Sequence, residues 1–102
     1  MDTKTLEKDK LKIERTLQEQ EYTHLKVTKR GDKLVIYSDN GAGGKENRCR
    51  FIYEKAGTYT LNMANHTGKW ETTPFEGSME ELLEMVMEQF PWTIANYDEN
   101  GF

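Results

Sequence analysis

The stretch from Ser78 to Pro91, S-M-E-E-L-L-E-M-V-M-E-Q-F-P, constrains the fold more than any other part of this chain. Its spacing predicts a helix with one buried face. Ser78 stands where a hydroxyl can accept from the free N–H groups of a first turn, and Glu81, three residues on, can reach back to complete a capping box. Met79, Leu82, Leu83, Val86, Met87 and Phe90 share one side of a 3.6-residue repeat; Glu80, Glu81, Glu84 and Glu88 take the other. Pro91 lacks the N–H that would carry the helix further. An apolar stripe this continuous needs a second layer to cover it.

Two hairpin signals supply that layer. Tyr22 to Arg30 and Lys33 to Ser38 flank Gly31-Asp32, which suits a two-residue turn. That register sets Val27 opposite Ile36 and Lys29 opposite Leu34 on one face, with Thr28 opposite Val35 and Lys26 opposite Tyr37 on the other. Arg48 to Glu54 and Thr58 to Met63 flank Lys55-Ala56-Gly57, with Gly57 at the left-handed position of a three-residue loop. Tyr53 then faces Tyr59, Phe51 faces Leu61, and Cys49 faces Met63. Both hairpins gather their apolar residues on one side, as a half-buried antiparallel sheet requires.

Residues 3–20 contain no Gly or Pro and are dominated by Glu, Lys, Gln and Leu, which predicts an N-terminal helix. Leu6, Ile13 and Leu17 form its stripe, and Leu11 falls off it. Residues 38–47, S-D-N-G-A-G-G-K-E-N, read as a loop. Residues 64–77 read as a polar connection carrying Trp70 and Phe75. The segment W-T-I-A-N-Y after Pro91 reads as a short edge strand or a tail over the core, and residues 98–102 as a fraying end. The expected architecture is one small α+β domain spanning residues 1–102. Its order is α-β-β-β-β-α: a two-layer fold with a four-stranded antiparallel meander, an N-terminal and a C-terminal helix on one face, and a possible short extra strand at the C-terminus.

Composition narrows the function without naming it. The chain has 102 residues and a net charge of −4, which disfavours non-specific nucleic-acid binding but leaves room for a local basic patch. One Cys and two His cannot make a four-ligand zinc site or an internal disulfide. The opening M-D-T-K-T-L-E-K-D-K has no apolar signal core, and no stretch approaches the roughly 18 apolar residues of a membrane span. The expectation is a protein of the cytoplasm.

Most motif-like features have plainer explanations. Arg30-Gly31-Asp32 spells an adhesion tripeptide, but a turn needs Gly-Asp there for backbone reasons. Gly41-Ala42-Gly43-Gly44-Lys45 lacks the spacing, the Ser/Thr and the following helix of a phosphate loop. Cys49 falls on the apolar face, where a free thiol behaves as a small hydrophobe. The glutamates of the last helix read as a solvated face rather than a metal cluster. Histidine as a residue type suits acid–base work near neutral pH, yet neither His24 nor His66 has a second catalytic group placed beside it. No catalytic set, cofactor or metal is expected.

Two features remain. The outer sheet face mixes bases and a ring, and Tyr37 with Lys26, Arg48 and Arg50 could clamp an anionic partner. The segment His66 to Phe75 holds Lys69 and Trp70 in polar surroundings, where Trp70 either caps the core, the reading we favour, or anchors a partner. The expected function is therefore a non-enzymatic binding module. It would engage a protein, or a second copy of itself, through the open sheet face and the Trp70 loop. Binding of nucleic acid or a small anionic ligand on the sheet face is the alternative.

Overall fold

The computed structural model describes residues 3–39, 44–55, 57–65 and 69–94. The capping box closes as the sequence requires. Ser78 Oγ accepts the Glu81 N–H at 3.1 Å, and the Ser78 N–H donates to Glu81 Oε1 at 3.0 Å. Helix α2 then runs Met79–Gln89 and buries Met79, Leu82, Leu83 and Val86. Phe90, expected on the same stripe, is only half-buried. It caps the helix C-terminus, where the backbone has left helical geometry, and its ring stands on Phe75 and Trp92 at 5.7 and 5.6 Å between centroids.

Helix α1 spans Thr3–Glu19. It buries Leu6, Ile13 and Leu17 and leaves Leu11 60% exposed. Its end is a Schellman motif: the Tyr22 N–H donates to Leu17 O and the Glu21 N–H to Gln18 O. Glu21 takes the left-handed position at φ 68°, where glycine would be unstrained.

Five antiparallel strands follow: β1 Leu25–Arg30, β2 Lys33–Asp39, β3 Lys45–Lys55, β4 Thr58–Ala64 and β5 Trp70–Gly77, in that order across the sheet. Every cross-strand pair expected for the two hairpins is present, including Val27 with Ile36 and Phe51 with Leu61. Gly31 and Gly57 turn them at φ 60° and 74°. The core is a single layer between sheet and helices. Leu25, Val27, Leu34, Ile36, Cys49, Phe51, Tyr59 and Leu61 from the sheet meet the buried residues of α1 and α2. Both helices thus pack on one face, and Tyr59 pins α1 further through a 2.6 Å hydrogen bond to Asp9 Oδ2.

The extra strand is real but sits elsewhere than expected. It is β5, formed by the segment read as a polar connection, while Pro91–Thr93 forms a 3-10 turn. Pro74 and the flanking glycines hid the strand. As an edge strand β5 can hold a proline, and Pro74 lies where the pairing with β4 shifts between Thr60 and Asn62. The segment after Pro91 behaves as the tail over the core instead: Ile94 is fully buried, and its carbonyl lies 2.8 Å from His24 Nε2. Residues 95–102 lie outside the described residues. Among the described residues no helix is long and apolar enough to cross a membrane.

Candidate functional site

The composition of the outer sheet face is decided by one irregularity. Val35 pairs with Arg50 and Ile36 with Cys49, but Tyr37 then pairs with Asn47, so Arg48 is an extra residue in β3. An inserted residue moves everything on its far side to the opposite face. Lys45 and Asn47 therefore join Tyr37 and Arg50 outside, while Glu46 and Arg48 turn toward the helices.

Arg48 is the clearest correction to the sequence reading. It is no surface clamp. It is buried, with Nε and Nη2 both donating to Ser38 Oγ (3.1 and 2.9 Å) and Nη1 donating to the Thr93 carbonyl at 3.2 Å. Its work is to tie the core end of the sheet to the Pro91–Thr93 turn.

What the bulge assembles outside is a hollow of about 310 Å³. Thr28 and Arg30 of β1, Lys33, Val35 and Tyr37 of β2, Lys45, Asn47 and Arg50 of β3, and Trp70 of β5 line it. Val35 is its apolar floor, only 5% exposed although it faces away from both helices. Four cations surround that floor, and among the described residues no carboxylate lines it. Asp32 stands beside it, with Oδ1 3.2 Å from Lys33 Nζ. Arg30 and Lys33 pair directly across the turn, a like-charge juxtaposition that works against the hairpin.

Arg50 is the most firmly held of these groups. Its Nε donates to Asn62 Oδ1 at 3.0 Å, and Asn62, itself buried, donates from Nδ2 to the Leu61 carbonyl at 3.0 Å. The guanidinium carbon lies 4.5 Å from the centroid of the Trp70 ring. With Nε held, neither terminal nitrogen has a hydrogen-bond partner among the described residues. Burial lowers the Arg50 pKa, with the Asp32 charge opposing; a guanidinium nonetheless stays protonated. On the other side of the hollow, Lys45 Nζ rides 4.8 Å above the Tyr37 ring.

Trp70 is thus not a core cap. It starts β5 opposite Ala64 on the outer face, and its partner is Arg50 rather than the core. Trp70 thus lines the same hollow as the sheet-face residues Tyr37 and Arg50. Lys26 stands next to it, opposite Tyr37, in a 2.8 Å ion pair with Asp39. The hydrogen bond and charge of Asp39 raise the Lys26 pKa. Lys69 is exposed just before β5, its N–H bonded to Asn65 Oδ1 at 3.0 Å, and is not among the residues lining the hollow. His66 lies outside the described residues. Arg30, Lys33, Lys45 and Asn47 were missed from sequence. Continuing the first hairpin register to its last pair would have found Arg30 and Lys33; nothing in the sequence announces the bulge that delivers Lys45 and Asn47.

Two other concavities among the described residues have other characters. A cleft of about 450 Å³ at the Arg48 end is lined by Glu46, Glu71, Met63 and Trp92, so its charges are mixed. A groove of about 440 Å³ between the helices is lined by Met79, Leu83 and Met87 and bridged by Lys12 and Glu80 at 3.8 Å. Burial pushes the Cys49 thiol up to about 12, which removes it as a nucleophile near neutral pH. Among the described residues no three His, Cys, Asp or Glu side chains converge as metal ligands. No protein-family model, curated protein or solved structure matches this chain, so the site is read from its own geometry.

Proposed function

We propose that this protein is a non-enzymatic binding module that takes an anionic partner on the outer face of its sheet. The observation that supports this best is the hollow itself. Arg30, Lys33, Lys45 and Arg50 ring an apolar floor, with no carboxylate in the lining among the described residues, in a chain whose net charge is −4. Charge concentrated against the overall balance steers partners of opposite sign. Arg50 is oriented in advance by Asn62 and Trp70, which reduces the ordering cost of binding. A second copy docking face to face would set these cations against themselves, so the geometry favours an anionic partner over self-association. The buried free thiol of Cys49 fits the reducing compartment expected from sequence, the cytoplasm.

Retention on a heparin column tests this reading. The wild-type protein should bind at low salt despite its net negative charge, and the double variant Lys33→Glu/Lys45→Glu should pass through. Flow-through of the wild-type protein, or equal elution of both, would reject it.

A further inference from the structure

Resting on the anion-binding reading above, we propose that the outer hollow binds single-stranded nucleic acid. Three features of the lining select this class among anions. The first is its hydrogen-bond inventory. Arginine and lysine are donors only, and among the described residues the side-chain acceptors in the lining are hydroxyls and the Asn47 amide. The phosphates of a nucleic-acid strand are acceptors only, one anionic group per nucleotide. An acidic peptide brings a backbone N–H at almost every residue, which this surface is poorly equipped to accept.

The second feature is the pair of rings. Tyr37 and Trp70 both line the hollow, and each carries a cation, Lys45 and Arg50 respectively. Bases stack on aromatic faces and on guanidinium planes alike. Arg50 is tied by its Asn62 bond with its guanidinium carbon 4.5 Å from the Trp70 ring centre, so ring and guanidinium lie side by side in the hollow.

The third is size and openness to a strand. About 310 Å³ is at the lower end of ligand sites, which run from roughly 300 to 1,000 Å³, and suits one nucleotide rather than a large ligand. The hollow lies on an open sheet, and sheet faces read unstacked bases of single strands, whereas bases inside a duplex are covered. The arrangement therefore places a base toward Trp70 and Arg50 and its flanking phosphates toward Arg30, Lys33 and Lys45.

Fluorescence anisotropy with a labelled uridine dodecamer tests the proposal, with a labelled polyglutamate peptide of equal length as the rival anion. If three or four phosphates are neutralised, log affinity should fall against log salt with a slope of about −2 to −3. That is a loss of roughly 15- to 60-fold between about 50 and about 200 mM salt. Lys45→Ala should reduce the slope by about 0.7, and Trp70→Ala should weaken binding about tenfold. Arg50→Lys, which keeps the charge but not the plane, should also weaken it. Circular dichroism establishes that each variant is folded. Polyglutamate binding as tightly as the dodecamer would overturn the nucleic-acid assignment and leave the anionic surface standing. Binding of neither probe would overturn both. Dodecamer binding untouched by all three variants would place it away from the hollow and overturn the assignment as well.

Discussion

Truncating Trp70 to Ala separates a surface ring from a core ring. In the structure the ring is half-buried on the face opposite the helices. Its identifiable interactions are the Arg50 guanidinium at 4.5 Å and the strand-end pairing with Ala64. A cation–π contact at a partly exposed site contributes about 0.5–1 kcal/mol. A cross-strand pair adds about 0.2–1 kcal/mol. Together they predict a loss of about 1–2 kcal/mol for Trp70→Ala. Phe51→Ala is the reference, because Phe51 is fully buried in the core layer and its removal should cost about 3–5 kcal/mol. Urea unfolding followed by far-UV circular dichroism measures both without depending on tryptophan emission. With a slope of about 1–3 kcal/mol per molar urea, the two midpoints should lie well apart. A Trp70→Ala loss equal to that of Phe51→Ala would refute the assignment of this ring to the outer face, and with it the wall of the proposed site.

Other outcomes follow from single contacts. Ser78→Ala should destabilise by about 1 kcal/mol while Ser78→Asp holds stability, because Asp can still accept from the first turn; equal losses in urea unfolding would contradict the observed cap. Glu81 accepts from the Ser78 backbone N–H and is further lowered by the Ser78 hydroxyl bond, so its folded pKa lies below the unfolded value. Its contribution is therefore present above the unfolded carboxyl pKa and fades as pH falls through the folded one. Glu81→Gln should show a shallower acid loss than wild type as pH falls below the ordinary glutamate pKa of about 4.3, and identical profiles would count against this linkage. Cys49, buried and raised to about 12, should react with a thiol reagent at pH near 8 only as fast as the protein opens. Immediate labelling of the native protein would show that the core layer is not closed over it.

Much of the architecture was legible because it rests on local rules. The capping box and stripe of α2, the Leu6–Ile13–Leu17 stripe of α1 and both hairpin registers follow from periods of 3.6 and 2 and from turn chemistry. The strand β5 was not legible. An edge strand is free of the donor requirement on one side, so Trp70–Gly77 could hold Pro74 and still pair. Phe90 shows the same limit at a helix end, where the backbone departs from the periodicity that predicted its burial.

By itself the sequence determined both helices, the two hairpins and which face of each is apolar, since that information is carried by spacing along the chain. Only the tertiary structure decided the site. A one-residue bulge in β3 withdrew Arg48 and Glu46 and brought out Lys45 and Asn47, because side chains alternate and a single insertion inverts them. Pairing of β5 on β4 then carried Trp70 across to Arg50, residues that lie 20 positions apart in the chain. Neither event has a local signal. Both arise from how strands settle against their neighbours, which is where a chain of net charge −4 acquires a surface of the opposite sign.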